Sequence, residues 1–536
     1  MNKFMKTTKK SLILVISSII AAVSFTACTA DDYIVEKRPT FTDNSKEYPL
    51  SDVKVMSSGI VRLETKKNFT RGNVGEINPA DFNIRQLTAL EAERMLQDNG
   101  GKSTFYLYQW VTLNYRSNTA DGSQQDLSEL VVWPYRNYVV CETTPAAEQL
   151  VIGCHSTITS NAQCPSNFSN LSSLGEINML ALFANAWSQN ALVVVPDYEG
   201  YGSTASIPHP YCNRELTAEQ VVEGATQALE WFESNQQTMD PNWQSVAVGY
   251  SQGGAVAAGV YRYCLEHNRS DLRMKGAVCG DGPYAPLATL KQYIQDNKLY
   301  MPVAPTLLLK GAVDTNPEMK RLGCTYQDFV NEKFYETGIF QWLDGKQLST
   351  TDIQKRLLQH SFEHGDEGGF TMMCATGSEF MPYTKSNAKD VRGKARRFNT
   401  ANGKGMNFCA TTEVLKPAVI EYFQTGKVTG DVPAAKLKAL EQALAENDLT
   451  YGGFRPSAGF TFFHSTRDEV VPYCNYQEVS RTWGTNSIQG QIYNSGTCLH
   501  VNSGTVFFLK RCGAPVDDIL KDKWQSGEKN IGNILY

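Results

Sequence analysis

The sequence predicts an α/β protein in which helices cover a mostly parallel, doubly wound sheet. Three apolar runs of strand length, at 149–153, 191–195 and 245–248, follow one another along the chain. A segment with helical periodicity separates each run from the next, at 175–190 and at 217–234. Unbroken apolar runs are typical of strands buried on both faces, and strands that alternate with helices form parallel sheets.

The sheet is expected to begin with antiparallel strands. Residues 105–117 and 127–135 are rich in aromatic and β-branched residues, and the polar segment between them contains a glycine. This pattern predicts a hairpin. Residues 28–100 are expected to form a tether and an irregular segment with one short helix near 89–96, and residues 101–286 the first part of the core.

A long helical stretch interrupts the alternation of strands and helices. From 287 to 457 the periodicity is mainly helical, apart from two glycine-containing loops. One of these loops, at 392–404, is basic and is interpreted as a solvated face. An insertion of this size predicts a cap or lid. Residues 458–536 then complete the core, with a strand near 459–463, a final strand in the segment that starts at 490, and a closing helix near 503–511.

Composition excludes some classes of function. The formal net charge of −5 argues against attraction of the whole chain to nucleic acid. None of the thirteen cysteines forms a C-x-x-C pair, so a structural zinc site is not expected. Twelve of them remain after Cys28, an even number compatible with disulfides, although buried free thiols are the alternative for several.

The N-terminus is a targeting segment. A basic stretch at 1–10 precedes an apolar stretch at 11–25, as in a secretory signal. The sequence Phe-Thr-Ala-Cys that ends at Cys28 resembles the lipobox of bacterial lipoproteins, and the acidic residues Asp31 and Asp32 resemble the export tags of Bacteroidetes lipoproteins. The resemblance implies a signal peptide at 1–27, lipidation of Cys28 and anchoring to the outer membrane through that lipid alone. The alternatives are an uncleaved anchor and a plain secretory signal, either of which would also export the protein.

The sharpest motif is the turn Gly249-Tyr250-Ser251-Gln252-Gly253, between the strand 245–248 and a helix. Glycines flank the serine because a sharp turn leaves no room for side chains there. The alternative is an ordinary glycine-rich turn with an exposed serine. A G-x-S-x-G turn between a strand and a helix resembles the nucleophile elbow of α/β-hydrolases, and Ser251 is then the nucleophile.

A serine nucleophile needs a base, and the base needs an acid to hold its tautomer. The resemblance implies the chain order serine, acid, histidine. Asp468, within TRDEVVPY, and His500 follow Ser251 in that order, each in a loop after a predicted strand. The alternatives that stay open are His464 for the base, and Glu469 or Asp281 for the acid.

The motif GYSQGG, the segment VVVPDYEGYG and the helical insertion together resemble the secretory-lipase branch of α/β-hydrolases. The resemblance covers about residues 100–510 and implies hydrolysis of small-molecule or acylated-glycan esters without a metal or an organic cofactor. It implies an oxyanion hole made by the backbone N–H of Gln252 with that of Ser156 or Thr157. Ser156 stands where the family often has glycine, and the preceding His155 is either part of this site or a packing residue.

Two other functions stay open from the sequence. A serine peptidase on the same fold would use the same three residues. A non-catalytic, glycan-binding surface lipoprotein would use exposed aromatic residues, for which Trp110, Trp187 and Trp342 are candidates.

Overall fold

The structure is a computed structural model that describes residues 40–42, 47–49, 53–65, 82–98, 105–135, 146–168, 190–235, 237–375, 380–387, 407–494 and 499–531. The predicted signal peptide, Cys28, Trp187, the basic loop and almost all of the helix expected at 175–190 lie outside these ranges. In the described part of the chain, no helix is long and apolar enough to cross a membrane.

The described residues form both strands and helices. The strands are β1 (Thr40–Thr42), β2 (Glu47–Pro49), β3 (Lys54–Thr65), β4 (Phe82–Leu87), β5 (Phe105–Asn118), β6 (Gln124–Pro134), β7 (Ala147–Cys154), β8 (Ala191–Pro196), β9 (Met239–Tyr250), β10 (Met274–Gly280), β11 (Met373–Ala375), β12 (Phe380–Pro382), β13 (Phe460–Ser465), β14 (Gln489–Tyr493) and β15 (Gly527–Asn530). The α-helices outside the insertion are Ala89–Asp98, Arg214–Ser234, Gln252–Glu266, Cys474–Trp483, His500–Val506 and Gly513–Leu520, and a π-helical turn spans Phe507–Arg511.

A central sheet of eleven strands has the order β15, β14, β13, β10, β9, β7, β8, β6, β5, β3, β4. The strands from β15 to β8 are parallel to their neighbours. Those from β6 to β4 are antiparallel. The predicted sheet, mostly parallel with an antiparallel start, is confirmed.

Helices cover both faces of the sheet, and β9 shows how its sequence allows this. Ala247 packs into the cluster that contains the helices Arg214–Ser234 and Gln252–Glu266. Val246 and Val248 point to the other face and pack with residues of the C-terminal helices. Because both faces are buried there, the segment 246–248 of β9 is apolar at every position rather than at alternate ones.

The region before residue 100 is more ordered than predicted. β3 and β4 extend the sheet at its antiparallel edge, and the helix Ala89–Asp98 lies where it was expected. Val61 and Leu63 are buried in the core, but serines and a register shift between Val55 and Ser57 interrupt the alternation along β3. The interruption hides the strand pattern in the sequence.

The C-terminal end also differs from the prediction. β14 is not the last strand, because β15 pairs with it at the sheet edge. β15 has the sequence GEKN, with mostly exposed side chains, so hydrophobicity gives no sign of it. The closing helix starts at His500 rather than near 503 and passes into the π-helical turn.

Residues 287–457 form the insertion, which separates β10 from β13 along the chain although these two strands are paired in the sheet. The insertion has a hydrophobic core of its own. As predicted, it is mainly helical, but the hairpin of β11 and β12 was not expected. Lys346 of the insertion contacts the core: its Nζ donates a hydrogen bond of 2.8 Å to the carbonyl of Ala205. The α-helices from this region are Pro286–Asp296, Val303–Thr315, Pro317–Arg321, Glu332–Tyr335, Ile339–Gly345, Thr350–His364, Thr411–Val414, Pro417–Thr425 and Ala434–Glu446.

Ten cysteines lie in the described ranges, and all of them are free thiols. Disulfides among these ten, which the even count allowed, are therefore absent. Cys279 is an example of the alternative: it is fully buried in β10, where burial raises the pKa of its thiol well above the usual value.

Candidate active site

Ser251 lies at the sharp turn between β9 and the helix Gln252–Glu266, with φ 58° and ψ −128°. A left-handed φ is unfavourable for a serine, and such strain is typical of a nucleophile elbow. A Cβ on Gly253 would lie 2.0 Å from the carbonyl oxygen of Cys154, and one on Gly249 2.0 Å from the carbonyl oxygen of Gly253. Glycine is therefore required on both sides of the serine.

Ser251, His500 and Asp468 form a continuous hydrogen-bonded chain. The Ser251 hydroxyl donates to His500 Nε2 over 2.8 Å. His500 Nδ1 donates to Asp468 Oδ2 over 2.5 Å. All three residues are buried, with 7%, 6% and 8% of their surface exposed. They meet because β9, β13 and β14 end at the same edge of the parallel sheet.

The loop after β13 positions Asp468 and the backbone of His500 through separate hydrogen bonds. Asp468 Oδ1 accepts hydrogen bonds from the backbone N–H groups of Val470, at 2.9 Å, and Val471, at 2.7 Å. The backbone N–H of His500 donates to Glu469 Oε2 over 2.9 Å. Glu469, a sequence candidate for the acid, thus holds the main chain of His500, whereas Asp468 holds its imidazole.

The site favours a positive charge on His500. Burial opposes that charge, but the attraction of Asp468 and the hydrogen bond with it outweigh burial and raise the pKa of His500 above the ordinary histidine value. Burial, followed by repulsion from Asp468, raises the pKa of Glu469 to about 7. The arrangement therefore stabilises an imidazolium at His500.

The predicted oxyanion groups lie beside the elbow. Gln252 is the first residue of its helix, so its backbone N–H has no acceptor within the helix. The Ser156 hydroxyl donates to the carbonyl of Tyr250 over 3.1 Å, and the Thr157 hydroxyl lies 3.0 Å from the Tyr211 hydroxyl. These contacts place the loop 156–157 next to the elbow, and Ser156 and Thr157 line a cavity that Ser251 and His500 also line.

His209 holds the side chain of Gln252, a role that the sequence did not suggest. Gln252 Nε2 donates to His209 Nε2 over 2.7 Å, and His209 Nδ1 donates to the carbonyl of Glu199 over 2.7 Å. Burial lowers the pKa of His209 to about 3, so the ring is neutral and can accept this bond. No signal near His209 in the sequence marks the contact, because its partner is far away along the chain.

The remaining sequence candidates for the site make other contacts. His155 stacks on Tyr198 with ring centroids 3.8 Å apart and is fully buried, as a packing residue would be. His464 is also fully buried, and its Nε2 donates to the carbonyl of Val471 over 3.2 Å. Asp281 contacts Tyr250 rather than His500. Among His155, His464 and Asp281, none has a hydrogen bond to the imidazole of His500 or to Ser251.

Ser251 and His500 face a cavity of about 330 Å³ between the core and the insertion. Its core side includes Ser156, Thr157 and Tyr211. No feature of the sequence marked Tyr211 as a residue of the site. The insertion contributes both apolar and polar side chains to the wall: Met301, Ala304, Leu308, Thr350, Thr351 and Gln354.

Known structures resemble most of the chain. No protein-family model and no curated protein matches this sequence. The rice cell wall degrading esterase LipA from Xanthomonas oryzae superposes with a TM-score of 0.56 and 16% identity, covering 88% of this chain and 99% of its own. A protein from Legionella pneumophila superposes with a TM-score of 0.54 and 16% identity, covering 90% and 98%. Together with the sheet order and the elbow, this similarity shows that the chain has the α/β-hydrolase fold.

Proposed function

We propose that this protein is a serine hydrolase that cleaves carboxylic esters. The observation that carries the proposal is the hydrogen-bonded chain from Ser251 through His500 to Asp468, which opens on a cavity. Nucleophile, base and acid in this geometry activate a serine for acyl transfer.

The proposed reaction begins when His500 Nε2 takes the proton of the Ser251 hydroxyl. The serine oxygen attacks the ester carbonyl, and the resulting oxyanion is held by the backbone N–H of Gln252 with that of Ser156 or Thr157. Loss of one such donor typically lowers kcat by about 10²–10³-fold. His500 then gives its proton to the leaving alcohol, which leaves an acyl group on Ser251.

Hydrolysis of the acyl-enzyme repeats the steps with water. His500 removes a proton from the water, the hydroxide attacks the acyl carbon, and Ser251 leaves as it regains the proton. Asp468 stays ionised throughout and keeps Nε2, rather than Nδ1, free to act as the base.

The substrate proposed is a small ester with a short acyl group, on a free alcohol or on a glycan. A cavity of about 330 Å³ is at the small end of the usual range for ligand sites. Met301 and Leu308 supply apolar surface for an acyl chain, while Thr350 and Gln354 supply hydrogen-bonding groups for an alcohol. The structural neighbour LipA is named an esterase, which agrees with an ester as the substrate.

A comparison of substrates tests the proposal. Purified protein is expected to hydrolyse p-nitrophenyl acetate and butyrate, and Ser251→Ala is expected to abolish this. Ser203→Ala, which removes an exposed serine away from the cavity, is the matched control and should retain the activity. Activity on peptide anilides but not on esters would show a peptidase instead, and activity on neither would contradict a hydrolase.

We also propose that a lipid on Cys28 anchors the protein to the outer membrane. This rests on the lipobox-like sequence alone. Full-length protein is expected to incorporate a labelled fatty acid and to fractionate with membranes, whereas Cys28→Ser should do neither. Membrane fractionation without fatty-acid incorporation would contradict lipidation.

A further inference from the structure

Asp281 is a fully buried carboxyl group next to the proposed catalytic residues. It follows β10, whose neighbour in the sheet is β13, the strand that leads to Asp468. Its Oδ1 accepts a hydrogen bond from the backbone N–H of Ser465 over 2.6 Å. Its Oδ2 lies 2.6 Å from the hydroxyl oxygen of Tyr250.

The Tyr250 hydroxyl makes a second short contact, 2.6 Å from the carbonyl oxygen of His500. Each of the two contacts joins oxygen atoms at hydrogen-bond distance and therefore needs a proton between them. The hydroxyl of Tyr250 has one proton, and the carbonyl of His500 has none. The second proton must come from Asp281.

The groups around Asp281 agree with this count. His464 Nδ1 lies 3.6 Å from Asp281 Oδ1, too far for a hydrogen bond. Because His464 Nε2 donates to the carbonyl of Val471, a neutral His464 presents a lone pair, not a proton, at Nδ1. Burial lowers the pKa of His464 to about 4, which keeps the ring neutral.

Asp468 and Glu469 also face this region, and the negative charge belongs on Asp468. Asp468 accepts three N–H hydrogen bonds, from His500, Val470 and Val471. Burial, followed by repulsion from Asp468, raises the pKa of Asp281 well above its usual value. Two nearby buried carboxyl groups with one charge between them are favoured over two charged ones.

We propose that Asp281 is a neutral carboxylic acid that positions His500 through Tyr250. Asp281 Oδ2–H donates to the Tyr250 hydroxyl, and the Tyr250 hydroxyl donates to the carbonyl of His500. Tyr250 directly precedes Ser251, so the two hydrogen bonds fix the backbone of the base relative to the nucleophile. Asp281 is a positioning residue here, and its effect on catalysis rests on the proposed function.

The same proton count argues against a metal at this place. Asp281, His464 and Asp468 bring their ligand atoms within 4.8 Å of one another, as metal ligands can. The oxygens of both carboxyl groups already have hydrogen-bond partners, however, and Asp281 holds a proton that a cation would have to displace. The cluster is therefore assigned to hydrogen bonding.

Asp281→Asn and Asp281→Ala form the test pair. Asparagine mimics a neutral acid, because its oxygen accepts from Ser465 and its amide donates to Tyr250. Asp281→Ala is expected to lower kcat by about 10- to 100-fold, with little change in KM, because His500 is less well placed. Asp281→Asn is expected to restore most of this loss. Tyr250→Phe should resemble Asp281→Ala in kcat.

The pH profile separates a neutral Asp281 from an ionised one. Asp281→Asn should leave the apparent pKa of His500 in kcat/KM where it is, because no charge has been removed. A fall in that pKa would mean that a negative charge near His500 has been lost, which would overturn the proposal. Failure of Asp281→Asn to restore the kcat lost in Asp281→Ala would also overturn it.

Infrared difference spectra test the proton without any substrate. The spectrum of the wild type minus that of Asp281→Asn, at neutral pH, is expected to show the C=O band of a protonated carboxylic acid. Carboxylate bands in its place would overturn the proposal. An acid band in a protein that hydrolyses no ester would leave the proton on Asp281 and contradict only the proposed function.

Discussion

At the scale of single residues, the site assigns the two acids of the loop after β13 to different parts of His500. Asp468 accepts from the imidazole, and Glu469 accepts from the backbone N–H. Both were candidates for the acid in the sequence, where they are adjacent. Because successive side chains in a turn point in different directions, only the structure could divide these roles.

Asp468→Asn is expected to lower kcat by about 10⁴-fold, since an amide facing Nδ1 favours the wrong tautomer of the base. Glu469→Gln is the matched control. It keeps an oxygen for the N–H of His500 and should lose far less activity. The measurement is kcat for p-nitrophenyl butyrate. A larger loss in Glu469→Gln than in Asp468→Asn would contradict the assignment of the acid.

The pH dependence of kcat/KM follows from the raised pKa of His500. The base must be neutral, so activity should rise as pH increases through that pKa, above the ordinary histidine value of about 6.5. The pH profile on an acetate ester checks this. A rise that is complete well below that ordinary value would contradict the electrostatic account.

At the scale of elements, the elbow depends on the close approach of β7, β9 and the helix Gln252–Glu266. The backbone carbonyl of Cys154, at the end of β7, occupies the place where a side chain on residue 253 would begin. A carbonyl in a central strand cannot move aside, as the end of a flexible side chain could.

Gly253→Ala is therefore expected to lower the free energy of unfolding by about 1–3 kcal/mol and to reduce activity by displacing Ser251. Gly345→Ala is the matched control, because a Cβ there meets nothing within 4 Å. Urea unfolding of the two variants gives the comparison. Equal stability of Gly253→Ala and the wild type would contradict the packing described for the elbow.

Tyr211 and Leu308 line both the active-site cavity and a neighbouring cavity of about 240 Å³. Tyr211→Ala is expected to join the two spaces and shift the acyl preference in kcat/KM toward longer p-nitrophenyl esters. Tyr211→Phe keeps the ring but not the contact with Thr157, so it separates loss of volume from loss of the hydrogen bond. An unchanged preference in Tyr211→Ala would contradict a role for this wall.

At the scale of the whole molecule, the order of motifs in the chain predicted the centre of the fold. Buried parallel strands are apolar without interruption, so β7, β8 and β9 were visible, and Asp468 and His500 followed from their places after strands. The edge strand β15 is polar, and β3 is interrupted by serines, so hydrophobic pattern did not reveal them.

The contacts of the insertion were beyond sequence pattern for a different reason. Helical periodicity shows that a segment buries one face, but not which surface it packs against. The places of Met301, Leu308 and Gln354 in the cavity wall depend on that packing. The contact of Asp281 with Tyr250 likewise joins the residue after β10 to the end of β9, and no sequence feature specifies the register of these two strands.

Active-site labelling tests the central claim, that Ser251 is an activated nucleophile, most directly. A fluorophosphonate probe, followed by peptide mass spectrometry, is expected to modify Ser251 at about one equivalent per chain, and Ser251→Ala should carry no label. Labelling should fall in His500→Ala, because the base that activates the serine is gone. No labelling of the wild type, or equal labelling of the wild type and Ser251→Ala, would contradict the account.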